Sequence, residues 1–306
     1  MSKTPLWRDD RFWRIAGQVL AVLLLAITVG ILVDNLLFNS EQQGVQYGFD
    51  FLGEQASFDI GETPIPYSPL SPYSQALLVG ITNTLRVIVI GIILATIAGV
   101  IVGFSVISDN WLVRQLAIIY VETIRNTPLL LQLFFWYFAA FLTLPFQENA
   151  ISLLGFISIS NRGIDLGSIH LSSEFSALLV GLTVYTAAFI AEIVRAGIQS
   201  VPRGQWEAAK ALGLKPFLML RLVVFPQALQ VIIPPLTSEY LNLAKNSSLA
   251  IAIAYPDIYS VYSTTLNQTG RSVEVIVLLM GTYLAIDLLI AGLMNLFNSS
   301  VQIKER

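Results

Sequence analysis

The sequence predicts an all-α integral membrane protein of about six transmembrane helices. Three observations lead there. Of the 306 residues 55% are hydrophobic and only 12% charged, and the mean hydropathy is +0.70, well above a soluble domain. Six segments are apolar over the length of about 20 residues that a spanning helix needs. The basic residues, finally, crowd into alternate connections between those segments, as the positive-inside rule expects.

The first segment, about 15–33, runs from Ile15 to Val33 without a charge. It is too long for a cleaved signal, and no small-residue cleavage pattern follows it. The second, about 76–107, carries Arg86. The third, about 116–142, carries Glu122 and Arg125. The fourth, about 175–199, carries Glu192 and Arg195. The fifth, about 222–243, is broken by Pro234 and Pro235, and the sixth, about 275–297, carries Asp287.

Orientation follows from lysine and arginine. Lys3, Arg8, Arg11 and Arg14 precede the first segment, Arg114 follows the second, Arg203, Lys210, Lys215 and Arg221 follow the fourth, and Lys304 and Arg306 end the chain. The opposite connections hold only Arg162 and Arg271. Both termini and the connection after the fourth segment are therefore expected in the cytoplasm.

The composition also excludes functions. A net charge of −3 implies no nucleic-acid surface, and the absence of cysteine removes disulfides, thiolate metal sites and a thiol nucleophile. The lone histidine, His170, lies in a polar stretch and reads as an exposed loop residue. No phosphate loop of the form Gly-x-x-x-x-Gly-Lys-Ser/Thr, no His-Glu-x-x-His and no Gly-x-Ser-x-Gly occurs. No catalytic residue, metal site or cofactor is expected on this chain. The external loop of residues 34–75 holds six acids between Asp34 and Glu62, then Pro64, Pro66, Pro69 and Pro72, which suit an extended connector or a binding epitope. Two domains are expected: residues 1–75, the first span with this acidic loop, and a core of residues 76–306.

The connection after the fourth span is punctuated. Trp206–Leu212 is alanine-rich and helix-forming, with Glu207 expected in its first turn, where the helix dipole favours an anion. Gly213 can close the helix in a left-handed cap, and Pro216 can open the next one. An exposed, bounded helix between spans suits docking to another protein.

Glu207-Ala208-Ala209, then Gly213, then Val223-Val224-Phe225-Pro226 keep a spacing that resembles the permease subunits of binding-protein-dependent ABC importers. Five further blocks, "NTLRV" (83–87), "RNTPLLLQLFFWYF" (125–138), "YTAAFIAEIVRAGIQSVPRGQWEAAKALGL" (185–214), "PQALQVIIPPLTSEYLNLAKNSSLAIAIAYPD" (226–257) and "NQTG" (267–270), are similar to the polar amino-acid branch. The extra first span and acidic loop resemble its general L-amino-acid subgroup. The resemblance implies the type I ABC importer transmembrane fold in a bacterial inner membrane. It implies a coupling helix near 204–215, with Glu207, Ala208, Ala209 and Gly213 meeting an ATPase. The implied partners are a second permease, identical or different, two ATPase subunits carrying ATP-Mg, a soluble substrate-binding protein and a polar L-amino acid.

Ionisable groups at bilayer depth are functional candidates. Glu192, which shares a face with Ala188 and Arg195, could meet a substrate ammonium. The Thr127 hydroxyl and the Gln132 amide, on either side of a helix bend at Pro128, could meet its carboxylate, Gln132 sharing a helix face with Arg125. Alternatively Glu122–Arg125 and Glu192–Arg195, each three apart, neutralise one another along their helices. The resemblance favours Pro128, Gln132 and Glu192 lining the path. Lys245 to Ser248 interrupt an apolar run, as in a broken or re-entrant element, or as a polar helix end followed by an interfacial helix. The rival reading is a secondary amino-acid transporter driven by an ion gradient, with Glu192, Glu239 and Asp287 as ion ligands.

Overall fold

The computed structural model describes residues 10–42, 47–153 and 156–301. The chain divides into two compact units, Met1–Phe49 and Asp50–Arg306. Among its described residues the first holds one helix, α1 (Asp10–Gln42), which contains the charge-free stretch. That stretch, residues 15–33, has no charged face, the form a bilayer accepts.

The second unit starts at Asp50 and not at residue 76. Phe51, Ala56 and Ile60 are buried in one cluster with Tyr73, Ala76 and Leu77, so the latter half of the acidic loop is part of the core. It is also tied by polar groups. Glu62 pairs with Arg86 at 2.8 Å and accepts from the Ser172 hydroxyl at 2.6 Å. Tyr67 donates to the Phe58 carbonyl at 2.7 Å, and burial, then Asp59, push its phenol up from the ordinary value.

Among the described residues five helices are long and apolar enough to cross a membrane. The expected third span is instead two pieces. Helix α3 (Trp111–Arg125) starts where Asn110 Oδ1 accepts from the amides of Leu112 and Val113, at 3.0 and 3.2 Å. It ends before Pro128, and α4 (Leu129–Phe134) runs on into a π-helical turn, Phe135–Phe141. Proline lacks the amide to continue the ladder and disfavours helix in the residue before it. Arg125 and Gln132 therefore stand on different helices, Arg125 exposed and Gln132 buried, not on one shared face.

Helix α2 (Tyr73–Val106) packs closely along α5 (Ser173–Gln199) at the small residues Gly99 and Gly103, whereas Gly91 lies nearest to Leu243. A methyl added at Gly99 would lie 2.6 Å from Ile190 Cβ, and one at Gly103 2.8 Å from Val194 Cβ. Small residues every fourth position let two backbones approach, the main source of helix association where lipid removes the hydrophobic drive.

Between α4 and α5 stands an antiparallel sheet that the all-α expectation missed. Strands β1 (Ile151–Leu153), β2 (Ile157–Ser160), β3 (Gly163–Leu166) and β4 (Ile169–Ser172) pair in chain order. The alternation Ile-Ser-Ile-Ser at 157–160 was the available signal. His170 is in β4 and not in a loop, exposed, with its Nδ1 2.6 Å from the cross-strand Asp165.

After α5 come α6 (Arg203–Ala211), α7 (Pro216–Met219), a π-helical turn at Leu220–Val224, and α8 (Phe225–Asn246). Helix α8 runs unbroken through Pro234 and Pro235, against expectation. Both prolines face outward while Ile232, Ile233 and Leu236 pack inward, so the unpaired carbonyls and the rings fall on the open side, where a helix can bend. A 3-10 segment, Ser247–Ile253, then breaks the run as expected, and Ala254 takes a left-handed φ of 59°. Asp257 caps α9 (Ile258–Thr269) by accepting from Ser260, and α10 (Ser272–Val301) completes the described chain.

Candidate functional site

Two features carry chemistry. The first is α6. Arg203, Gly204, Gln205, Glu207, Ala208, Lys210 and Ala211 are exposed, and only Ala209 is buried. Ala209, with half-buried Trp206 and Leu214, ties the helix to a core cluster that includes Val201 and Met219. The helix opens at Arg203, three residues before the expected Trp206, so Glu207 lies in its second turn. Its far end matches expectation. Gly213 has φ +73°, its amide donates to the Lys210 carbonyl at 2.9 Å, and the Leu214 amide reaches back to the Ala209 carbonyl at 3.2 Å. This is the paired 5→2 and 6→1 pattern of a Schellman cap. Pro216 occupies the first turn of α7. These nine residues, anchored chiefly through Ala209 and stopped at both ends, leave most of their side chains exposed.

The second feature is a polar face at membrane depth. On α8 the exposed side chains include Ser238, Asn242 and Lys245, with Glu239 half-buried beside them. At the end of α3, Glu122, Arg125 and Asn126 are exposed. The Arg125 guanidinium lies 5.3 Å from the centre of the Phe189 ring, within electrostatic reach of Glu192 and Glu239. Lys245 meets Asp287 of α10 at 3.5 Å. Charges of both signs do not face lipid; in membranes they turn to a bundle interior or a water-filled path.

The predicted substrate residues divide. Gln132 Nε2 donates to the carbonyls of Ile124 and Thr127, both at 3.0 Å. Both carbonyls lie at the break, the Ile124 carbonyl being the one the missing Pro128 amide cannot reach, so both amide hydrogens are spent there, and Gln132 Oε1 has no hydrogen-bond partner among the described residues. The Thr127 hydroxyl donates to the Thr123 carbonyl at 2.8 Å. Pro128 is exposed and Ala188 fully buried. Glu192 accepts from Arg195 Nε at 2.9 Å, and Arg195 also holds Gln199 at 2.6 Å. For this pair the neutralisation reading describes the geometry. For Glu122–Arg125 it does not, since Arg125 stacks on Phe189 instead. In the sequence Glu239 stands out only as an ion ligand of the rival transporter and Lys245 only as a break in an apolar run; Asn242 was not singled out, and the recurrence of the three at helical spacing on α8 was the signal for a shared polar face.

Residues 76–303 match the family described as binding-protein-dependent transport system inner membrane component. The chain belongs to the binding-protein-dependent transport permeases. This permease is 36% identical to the general L-amino acid transport system permease protein AapQ of Rhizobium johnstonii, over 97% of its own length and 94% of that relative's. It is 36% identical to the glutamate/glutamine/aspartate/asparagine transport system permease protein BztB of Rhodobacter capsulatus, over 97% and 96%. Its fold matches a chain in the crystal structure of an amino acid ABC transporter with histidines, with a TM-score of 0.58 and 26% identity, covering 74% of this chain and 95% of that one. It is thus a multi-pass inner-membrane permease of the type I ABC importer fold, and permeases of this family work with an ATPase and a binding protein.

Proposed function

We propose that the permease forms half of the path of an ATP-driven amino-acid importer and that α6 is its handle for the ATPase. The observation that carries this is the exposed, Schellman-capped α6, anchored through Ala209, with Gln205 accepting from the Gln227 amide at 3.4 Å. Its basic surroundings favour a cytoplasmic position. Two ATPase subunits carrying ATP-Mg would sit beneath, and a soluble protein would deliver substrate from the far side. ATP binding would favour the closed ATPase pair, pull α6 with it, and shift the spans from inward to outward access, a population shift driven by differential affinity.

The polar face of α3 and α8, open in a single chain, suits closure by a second permease, identical or different. The similarity to amino-acid permeases over almost the whole chain supports a polar L-amino acid as cargo. Arg125 would take its carboxylate and Glu239 its ammonium, with Glu192 a further carboxylate near Arg125. Thr127, Pro128 and Gln132 would shape the bend that sets Arg125.

Two measurements test this. A photo-cross-linker at exposed Ala208 (Ala209 is buried and would disturb the tether) should capture an ATP-hydrolysing subunit. Capture of none, or labelling of Ala208 only from the external side, would overturn the handle. In reconstituted vesicles uptake should require ATP. Glu239→Gln should weaken uptake of a zwitterion about tenfold or more, the worth of one charge-assisted hydrogen bond, and Glu192→Gln less, because Arg195 already holds that carboxylate. The reverse order would reassign the ammonium site to Glu192.

A further inference from the structure

A cavity of about 390 Å³ opens beside the α6 end of the unit, lined by Phe104, Phe217, Leu220, Arg221 and Phe225. Its walls are apolar. Phe104 and Phe225 stack with ring centres 6.4 Å apart, and Phe217 is 70% exposed. Arg221 contributes its stem, while its guanidinium has neither an ion pair nor a hydrogen bond among the described residues. A long basic side chain commonly lies along apolar surface with its charge left free at the edge.

Continuity decides what the groove faces. Ile93, Ile97 and Ile101 form an exposed apolar stripe along α2, and Phe104 is the next residue of that stripe. A charge-poor stripe on a spanning helix meets acyl chains. The groove prolongs that surface to the last turn of α2, and there the Arg221 cation stands.

We propose that this groove binds an anionic phospholipid, with an acyl chain against Phe104, Phe217 and Phe225 and the headgroup phosphate on Arg221. A guanidinium pairs with phosphate through parallel charge-assisted hydrogen bonds, and basic pockets between spans at this level select anionic headgroups. The occupant would bridge α2 and the segment that joins α6 to α8, so the lipid would brace the base of α6.

The test uses the full chain in phosphatidylcholine vesicles doped with spin-labelled phosphatidylglycerol or, in parallel, spin-labelled phosphatidylcholine. The motionally restricted fraction reports binding. Wild type should prefer phosphatidylglycerol. Arg221→Gln should lower that preference about fivefold, the worth of one basic residue at an anionic surface, while Arg221→Lys keeps most of it. Phe217→Ala should reduce restriction of both lipids. An unchanged preference in Arg221→Gln would overturn the site. Equal losses in Arg221→Gln and Arg114→Gln, a second exposed arginine at that end, would reduce it to diffuse surface charge. Displacement of the labelled lipid by inorganic phosphate alone would point to an anion site without a lipid. Loss of ATPase capture with the preference intact would make the groove a protein contact.

Discussion

Replacing Gly213 with valine should leave the permease inserted and folded but separate ATP hydrolysis from transport. Gly213 has φ +73°, and a side chain added there would meet nothing within 4 Å. The whole effect is therefore conformational. A left-handed backbone costs an ordinary residue about 1–2 kcal/mol, and a β-branched one is a clear outlier there. Relief would come by unwinding the cap, which frees the carbonyls of Ala209 and Lys210 and lets the end of α6 drift. Uptake per ATP hydrolysed in vesicles should fall about tenfold, the factor that 1.4 kcal/mol represents. Gly213→Asn should retain most coupling, because asparagine tolerates this conformation. Equal behaviour of the two variants would show that the left-handed cap has no part in coupling.

The largest effect on stability is expected at the α2–α5 seam. In Gly99→Ala the new methyl would lie 2.6 Å from Ile190 Cβ and 3.0 Å from the Ala187 carbonyl. In Gly103→Ala it would lie 2.8 Å from Val194 Cβ and 2.9 Å from the Ala191 carbonyl. Backbone oxygen and β-branched carbon cannot swing aside, so the helices must part. Overpacking of this kind costs about 1–3 kcal/mol per site, and parting also loosens the base of the unit. Both single variants should lower the unfolding midpoint in detergent, and the double variant should fail to accumulate as a monodisperse protein. Gly281→Ala and Gly292→Ala on α10 meet nothing and have ordinary backbone, and should stay within about 0.5 kcal/mol of wild type. A Gly99→Ala protein as stable as Gly281→Ala would show that the seam is looser than these distances.

Local features were legible. Apolar length located five of the six expected spans, the third being two pieces, and glycine and proline bracketed α6 to within a few residues, because a left-handed cap and a helix start are decided by one residue and its neighbours. Pro128 was read as a bend and is a full break. Pro234 and Pro235 were read as a break, and α8 continues through them. The same residue type differed because the surroundings did. Gln132 supplies donors to the carbonyls around the Pro128 break, whereas Pro234 and Pro235 lie on an outer face with inward neighbours clamping the helix.

Sequence by itself determined that this chain lives in a membrane, where its main helices run, and where a short capped helix stands exposed between them, since each depends on composition or on turn chemistry over a few residues. Tertiary structure decided which polar groups are available. It consumed the Gln132 amide, tied Glu192 to Arg195, set Lys245 against Asp287, and brought Glu62 of the acidic loop to Arg86. It also laid the Arg125 guanidinium over the Phe189 ring of α5, at 5.3 Å from its centre. A buried or membrane-depth polar group takes whichever partner the packing brings within about 3 Å, and that packing is set by contacts far apart along the chain.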